Sequence, residues 1–214
     1  MLYRSVSLFI IIVFSIYSNH AAAKRVTTLF NESEINSPVA LTHPVITLNL
    51  VDNAHIEIVT LGVDDNEARW LHVYQFDQEL NLYQLDAALK LPNDILRFDF
   101  SKQRSVGLQE LYFVSSQAVF RYNFQLKQLE KISSISSIFI KETSTFIARA
   151  NSVLDINDDG VDEMLFSDFH SMTFLSKKNQ SWSASILPIK AISIIDDDGI
   201  TFMPRGFSVL DLNN

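Results

Sequence analysis

The 214-residue chain contains no cysteine, so no disulfide can stabilise it and no lipid can be attached to a cysteine near its N-terminus. Basic residues are also few: 17 Lys and Arg stand against 25 Asp and Glu, and the formal charge is −8. Because nucleic acids and anionic membrane surfaces are bound through Lys/Arg patches, neither is an expected partner. The acidic balance suits divalent cations instead.

Long apolar runs are absent after Tyr17, so no later segment could cross a membrane. Before it, Arg4 precedes the apolar run Leu8–Tyr17, and Ala21–Ala23 supplies the small residues that a signal peptidase requires. The run is shorter than the roughly 20 residues of a membrane-spanning helix. We therefore predict a signal peptide over residues 1–23 and a periplasmic or secreted chain from Lys24; an uncleaved anchor is the alternative. Without disulfides, the core or a metal must stabilise this chain.

Helical periodicity is almost absent, and short runs rich in β-branched and aromatic residues take its place. Several alternate apolar with polar residues, which is the pattern of half-buried strands. We predict an all-β fold; only Leu80–Leu91 is open between helix and strand. The predicted strands are Val45–Leu50, Ile56–Leu61, Trp70–Phe76, Ile95–Phe100, Leu111–Val114, Val119–Phe124, Val153–Leu154, Met164–Phe166, Met172–Leu175 and Ala184–Leu187.

The strand pattern repeats. Three glutamates that begin or precede apolar runs lie 53 residues apart: Glu57, Glu110 and Glu163. Three aspartates that end strands lie 56 residues apart: Asp99, Asp155 and Asp211. Each period holds about four strand-like runs, the content of one propeller blade. We predict a partial β-propeller over residues 24–214, with about three and a half four-stranded blades of ~53–56 residues each.

The most specific motif is the nine-residue segment Asp155–Glu163, DINDDGVDE. Its first, third, fifth and ninth positions carry side-chain oxygens, its seventh can offer a backbone carbonyl, and Gly160 permits a sharp turn. Calcium takes about 6–8 oxygen ligands in a tolerant geometry, whereas magnesium demands a tighter octahedron. We predict a calcium site made by Asp155, Asn157, Asp159, the Val161 carbonyl and Glu163.

Two other interpretations of this loop differ in what the sequence around it must supply. EF-hand and dockerin loops need an acidic residue at position 12 and flanking helices, but position 12 is Phe166 and the flanks are predicted strands. Both are excluded. The remaining alternative is an acidic hairpin turn whose carboxylates accept hydrogen bonds from backbone N–H groups.

The segment VLDINDDGVDEMLF resembles the calcium hairpin of FG-GAP/VCBS repeats, the family of integrin-α-like N-terminal propellers. The resemblance implies a propeller in which the acidic loop joins the first two strands of a blade. It also implies calcium ligation by the five residues of the predicted site, and a carbohydrate or protein partner. Val209–Asn214 resembles the opening of the next such loop.

The corresponding loops of the first two periods depart from this pattern. The loop from Asp99 to Glu110 is longer and places Lys102 and Arg104 where acids are expected. The loop from Asn49 to Glu57 carries Ala54 in place of the glycine. Neither loop is expected to bind calcium well. The phenylalanine–glycine and glycine–alanine–proline signatures of the family are also absent.

Other polar clusters have simpler interpretations. Asp196–Gly199 and Asp64–Asn66 are predicted turns between strands. The histidines show no metal-ligand pairing. Four aromatic residues share one face of a predicted strand, where packing between blades is favoured over a ligand-binding strip: Trp70, His72, Tyr74 and Phe76.

Catalytic motifs are missing: there is no nucleophile elbow, no His-Glu-x-x-His pair and no Gly-rich phosphate loop. Paired glycosidase carboxylates cannot be recognised from sequence. We therefore expect no enzyme but a binding or scaffolding module; the alternative is that these blades belong to an exported polysaccharide-acting enzyme. Since propellers close with about four to eight blades, we expect blades to be missing at the C-terminus, through truncation or because another chain supplies them.

Overall fold

The computed structural model describes residues 35–51, 55–102, 107–137, 145–168, 171–179 and 181–188, and the backbone of 192–196 and 199–203. Apart from residues 35 and 36, these belong to one compact unit, Ser37–Asn214. Their secondary structure consists of strands without a helix, so the all-β prediction is confirmed. The predicted signal peptide, Arg104, and the loop beginning at Val209 lie outside the described residues.

The first sheet contains five antiparallel strands, of which β2, β3, β4 and β5 follow one another along the chain and pair in that order. β1 pairs with the far end of β3. Residues 82–90, which the sequence left open between helix and strand, form a strand paired along its length with β4. The strands are β1 (Ala40–Leu41), β2 (Ile46–Leu48), β3 (Glu57–Val63), β4 (Arg69–Asp77) and β5 (Leu82–Lys90).

The second and third sheets repeat this four-stranded meander. The second comprises β6 (Arg97–Phe100), β7 (Leu111–Val114), β8 (Ala118–Asn123) and β9 (Gln128–Ser134), and β10 (Ala148–Arg149) pairs in parallel with β6. The third comprises β11 (Val153–Leu154), β12 (Glu163–Ser167), β13 (Ser171–Lys178) and β14 (Ser181–Pro188). A hairpin of β15 (Ile192–Asp196) and β16 (Gly199–Met203) follows, with Asp196 opposite Gly199 as the predicted turn requires.

The 53-residue period coincides with the order of strands in the sheets. Glu57 and Glu163 are the first residues of β3 and β12, and Glu110 directly precedes β7. Each of these three strands is the second of its four-stranded meander. The period is therefore one four-stranded antiparallel sheet, and the sheets are open rather than closed.

Strand β7 of the second sheet is buried on both of its faces, which explains why it is apolar at every position. Leu111 and Phe113 belong to a cluster with residues of the first sheet, such as Val59. Tyr112 and Val114 point to the other face, because side chains alternate along a strand, and join a cluster with residues of the third sheet. The three sheets thus pack face to face in chain order.

Gly62 on β3 allows the close approach of β1. A Cβ atom at this position would lie 2.5 Å from Val39 Cγ2 and 2.6 Å from the Ala40 carbonyl oxygen. Because one of these atoms is backbone, we expect Gly62→Ala to displace β1 and to lower the free energy of unfolding by about 1–3 kcal/mol.

Thermal unfolding of Gly62→Ala measures this cost, and hydrogen exchange locates it. The Thr42 amide donates to the Leu61 carbonyl at 3.0 Å and should lose protection in the variant as β1 moves away. An unchanged melting temperature with full protection of Thr42 would show that β1 accommodates the methyl group.

Candidate metal centre

The acidic loop of the third sheet closes the hairpin between β11 and β12. Val153 pairs with Met164 and Leu154 with Glu163, so the loop begins at Asp155 directly after the paired residues. Antiparallel pairing therefore places the first and last predicted ligands, Asp155 and Glu163, at the two ends of one tight turn. The residues that the sequence predicts as metal ligands therefore lie within this one turn.

The loop carboxylates accept hydrogen bonds from the loop's own backbone. The Asp155 carboxylate accepts from the N–H groups of Asp159 (3.1 Å) and Gly160 (3.0 Å). Asp159 Oδ1 accepts from the Val161 N–H at 2.8 Å, and Glu163 Oε2 accepts from the Ile156 N–H at 2.9 Å. These bonds hold the carboxylates on the inner side of the turn.

Two residues with positive φ make this turn possible. Gly160 has φ 81° and Asp158 has φ 58°. Glycine adopts such angles without steric cost and aspartate tolerates them better than most residues. The glycine that the sequence motif places at position 6 therefore has the conformational role expected of it.

The Asn157 side chain lies between two of the carboxylates. Its Nδ2 donates to Asp159 Oδ2 at 3.0 Å and approaches Glu163 Oε1 at 3.5 Å, while its Oδ1 accepts from the Asp159 N–H. The amide thus supplies partial positive charge where two acidic side chains converge. A cation could take over this role if the amide turned its oxygen inward.

Electrostatics in the loop favour such a cation. Glu163 is buried, and burial raises the pKa of its carboxyl group; the negative charges of Asp159, Asp155 and Asp162 raise it further, against the lowering effect of the Ile156 N–H. A divalent ion would offset this repulsion. The donor set, with three carboxylates, an amide oxygen and the Val161 carbonyl, fits the preference of calcium for oxygen ligands.

The acidic loop is a turn that is stabilised by hydrogen bonds between its own side chains and backbone. No group of three or more His, Cys, Asp or Glu side chains that could hold a metal ion occurs in the part of the chain that the structure describes. The same geometry is expected of an acidic hairpin turn without metal. Calcium binding by Asp155, Asn157, Asp159, Val161 and Glu163 therefore stays a prediction.

The glutamate of the first sheet repeats one feature of this loop. Glu57 is 1 % exposed, and its Oε2 accepts a 2.7 Å hydrogen bond from the Leu50 N–H. The Ile156–Glu163 bond spans the same seven residues. A shared role of the repeat glutamate is therefore to fix the start of the hairpin loop. Asn53 and Ala54 lie outside the described residues.

The glutamate of the second sheet has different partners. Glu110 accepts hydrogen bonds from the Tyr112 hydroxyl (2.6 Å) and from Arg121 Nη1 (3.1 Å). Lys177 Nζ, which belongs to the third sheet, lies 2.9 and 3.0 Å from its two oxygens. Burial raises the pKa of this carboxyl group, but the bonds from Tyr112, Lys177 and Arg121 outweigh burial and hold it below its usual value. An ammonium group therefore meets the repeat glutamate in this sheet.

No family model matches this chain, and no curated protein matches it significantly. In the residues that the structure describes, no helix is long and apolar enough to cross a membrane.

The aromatic residues predicted to share one strand face lie on β4. Trp70 stacks on His72 with ring centroids 6.1 Å apart, and His72 meets Tyr74 edge to face at 6.4 Å. His72 is 2 % exposed and burial lowers its pKa. Their neighbours Leu71 and Val73 point to the opposite face, into the cluster shared with the second sheet. On this face His72 and Tyr74 are buried, and Trp70 and Phe76 are half-buried. The preference for packing over a ligand-binding strip stays a prediction.

Proposed function

We propose that this chain is an exported, calcium-binding β-propeller repeat protein that acts as a binding or scaffolding module. The observation that carries the proposal is the hairpin loop of the third sheet. It gathers four acidic or amide side chains within one turn, at the position where each repeat places its glutamate. The oxygen donors of the loop and the strands on either side of it are both what the resemblance to FG-GAP/VCBS repeats implies.

The packing of the sheets supports the propeller part of this proposal. Three four-stranded meanders follow one another with a constant period and stack face to face. Radial repetition of such sheets is how propellers are built. A closed ring takes about four to eight blades, so the proposal requires blades in addition to these three sheets.

Calcium would act as a structural ion in the loop. Asp155, Asp159 and Glu163 repel one another while the loop relies on hydrogen bonds alone. A bound ion would replace the Asn157 amide as their common positive partner and fix the hairpin. Because the unfolded chain cannot gather these ligands, binding energy would add directly to the stability of the fold.

We expect calcium to raise the melting temperature of the purified protein. At a free calcium concentration about 100-fold above Kd the gain is about 2.7 kcal/mol, which corresponds to roughly 5–10 °C for a domain of this size. Differential scanning calorimetry in calcium and in chelator measures this shift. Asp159→Asn should lose most of it.

Asp158→Asn is the matched control, because it makes the same chemical change at the adjacent position, which is not a ligand. Asparagine also tolerates the positive φ of Asp158. This variant should keep the calcium shift. If the unaltered protein melts at one temperature in calcium and in chelator, the loop is a hydrogen-bonded turn and the proposal loses its support.

A further inference from the structure

The third sheet ends in an outer strand, β14, whose free edge lacks the features that usually prevent pairing with another chain. β14 pairs with β13 through eight consecutive residues without a register shift. Among the strands that the structure describes, none pairs with its other edge. Because antiparallel strands exchange hydrogen bonds at every second residue pair, alternate residues of β14 direct their N–H and C=O groups outward. An unpaired edge of this kind is a template for another strand.

The outer strands of the other two sheets differ from β14 in two respects. β5 is paired with β4, and β9 with β8, across a register shift that interrupts the regular ladder. β5 also carries Asp86 and Lys90, and β9 carries Glu130 and Lys131, whereas β14 contains no charged residue. Irregularities and charges on an edge strand oppose its pairing with other chains. Of these three outer strands, only β14 lacks both.

The side chains of β14 also leave apolar area exposed to solvent. Ile186 is 71 % exposed and Leu187 is 49 % exposed. Trp182 is half-buried beside Tyr112, with ring centroids 6.0 Å apart. A strand added at this edge would therefore gain apolar contacts as well as backbone hydrogen bonds.

The sequence of β14 is symmetric in character about Ala184. Serines lie on either side of it, at Ser183 and Ser185, and large apolar residues lie one position further out, at Trp182 and Ile186. If two copies pair antiparallel with Ala184 opposite Ala184, the Trp182 side chain of each copy lies opposite Ile186 of the other, and serine lies opposite serine. Aromatic–β-branched pairs and hydroxyl pairs both stabilise antiparallel strands. The strand therefore has the self-complementary surface that a two-fold axis requires.

We infer that two copies of this chain associate through their β14 strands and form one continuous antiparallel sheet across a two-fold axis. A second copy fits this edge because each side chain of β14 then meets a suitable partner from the same strand. Since β14 carries no charge, the contact also places no like charges together in a chain of net charge −8. The predicted calcium loop joins β11 and β12 on the other side of the sheet, so this interface does not depend on the metal.

Sedimentation equilibrium of the unaltered protein and of Ala184→Lys tests the inference. We expect the unaltered protein to form a reversible dimer. The lysine should raise the dissociation constant of that dimer about tenfold or more, because it places two ammonium groups directly opposite each other. Ala184 is exposed, so the circular dichroism spectrum of the variant should stay unchanged. Ala88→Lys is the matched control, since it makes the same change at an exposed position of β5 and should leave the dimer intact.

A single introduced thiol tests the register, because the chain contains no cysteine of its own. The Cα atoms of directly opposed residues lie about 4.5–5.5 Å apart, within the roughly 4.4–6.8 Å that a disulfide spans. Ala184→Cys should therefore give a covalent dimer on mild oxidation, seen on a non-reducing gel, and Ala88→Cys should not. An unaltered protein that stays monomeric at its highest soluble concentration, equal weakening of the dimer by both lysines, or equal crosslinking of both thiols would overturn the inference.

Discussion

Replacing Asp99 by alanine is expected to lower the free energy of unfolding by about 3–5 kcal/mol, among the largest effects of any substitution in this chain. Asp99 is the penultimate residue of β6, and its side chain is 1 % exposed. Its partners belong to the strand that begins the third sheet and to the segment before it. The residue therefore links two sheets rather than stabilising only its own loop.

The expected loss of stability is large because the substitution would leave hydrogen-bond donors without an acceptor. Asp99 Oδ2 accepts from the backbone N–H groups of Ser152 (2.6 Å) and Val153 (3.0 Å), both buried. Oδ1 accepts from Arg149 Nε at 2.9 Å. A buried donor without a partner costs about 1–3 kcal/mol, and alanine would leave two such groups, whereas Arg149, with 42 % of its side chain exposed, stays hydrated.

Denaturant titration of Asp99→Ala measures this loss, with Asp65→Ala as the charge-matched control. Asp65 is exposed in the turn between β3 and β4, so its replacement should change stability by less than about 0.5 kcal/mol. Asp99→Asn should fall between the two variants, because the amide keeps one acceptor oxygen. Equal stabilities of Asp99→Ala and Asp65→Ala would show that water satisfies the backbone of residues 152 and 153.

Most strands could be predicted from the sequence because they are short, apolar and buried. Leu111–Val114 is predicted and observed with identical bounds, since both of its faces are covered by neighbouring sheets. The outer strands β5 and β9 are different. β5 was left open and β9 was not predicted, because exposed and half-buried positions mix polar and apolar residues without a clean alternation. Pairing with an inner strand, rather than local pattern, decides their conformation.

The acidic loop could also be predicted, because its ligand positions are adjacent in sequence and one glycine sets the turn. The Glu110–Lys177 contact could not. Its partners are 67 residues apart and lie on different sheets, so only packing brings them together.

The three repeat glutamates lie in two kinds of environment. In the first and third sheets the carboxylate accepts a backbone N–H at the start of its loop. In the second it faces a lysine and an arginine. In the second sheet, protein side chains therefore supply the positive charge beside the repeat glutamate. In the third sheet an amide group lies beside it, and in our proposal calcium takes the place of that amide.

A second large loss of stability is expected from substitutions in the core where the sheets pack together. Phe113 and Phe166 occupy equivalent positions, three residues after the repeat glutamate, and are 0 % and 1 % exposed. Phe113 packs between the first and second sheets, and Phe166 between the second and third. Truncation of either to alanine should cost about 3–5 kcal/mol, through lost burial and the cavity left behind.

Calorimetry of both variants distinguishes a single stack from sheets that unfold separately. If the three sheets share one core through β7, each variant lowers one common transition by roughly 10 °C or more, and Leu126→Ala, at a side chain that is 60 % exposed, barely moves it. If instead Phe166→Ala splits off an early transition while the rest keeps its melting temperature, the third sheet is a separate cooperative unit. A common transition would mean that the second sheet transmits stability between its neighbours, as radially packed repeats require, and that calcium at the third sheet would stabilise all three.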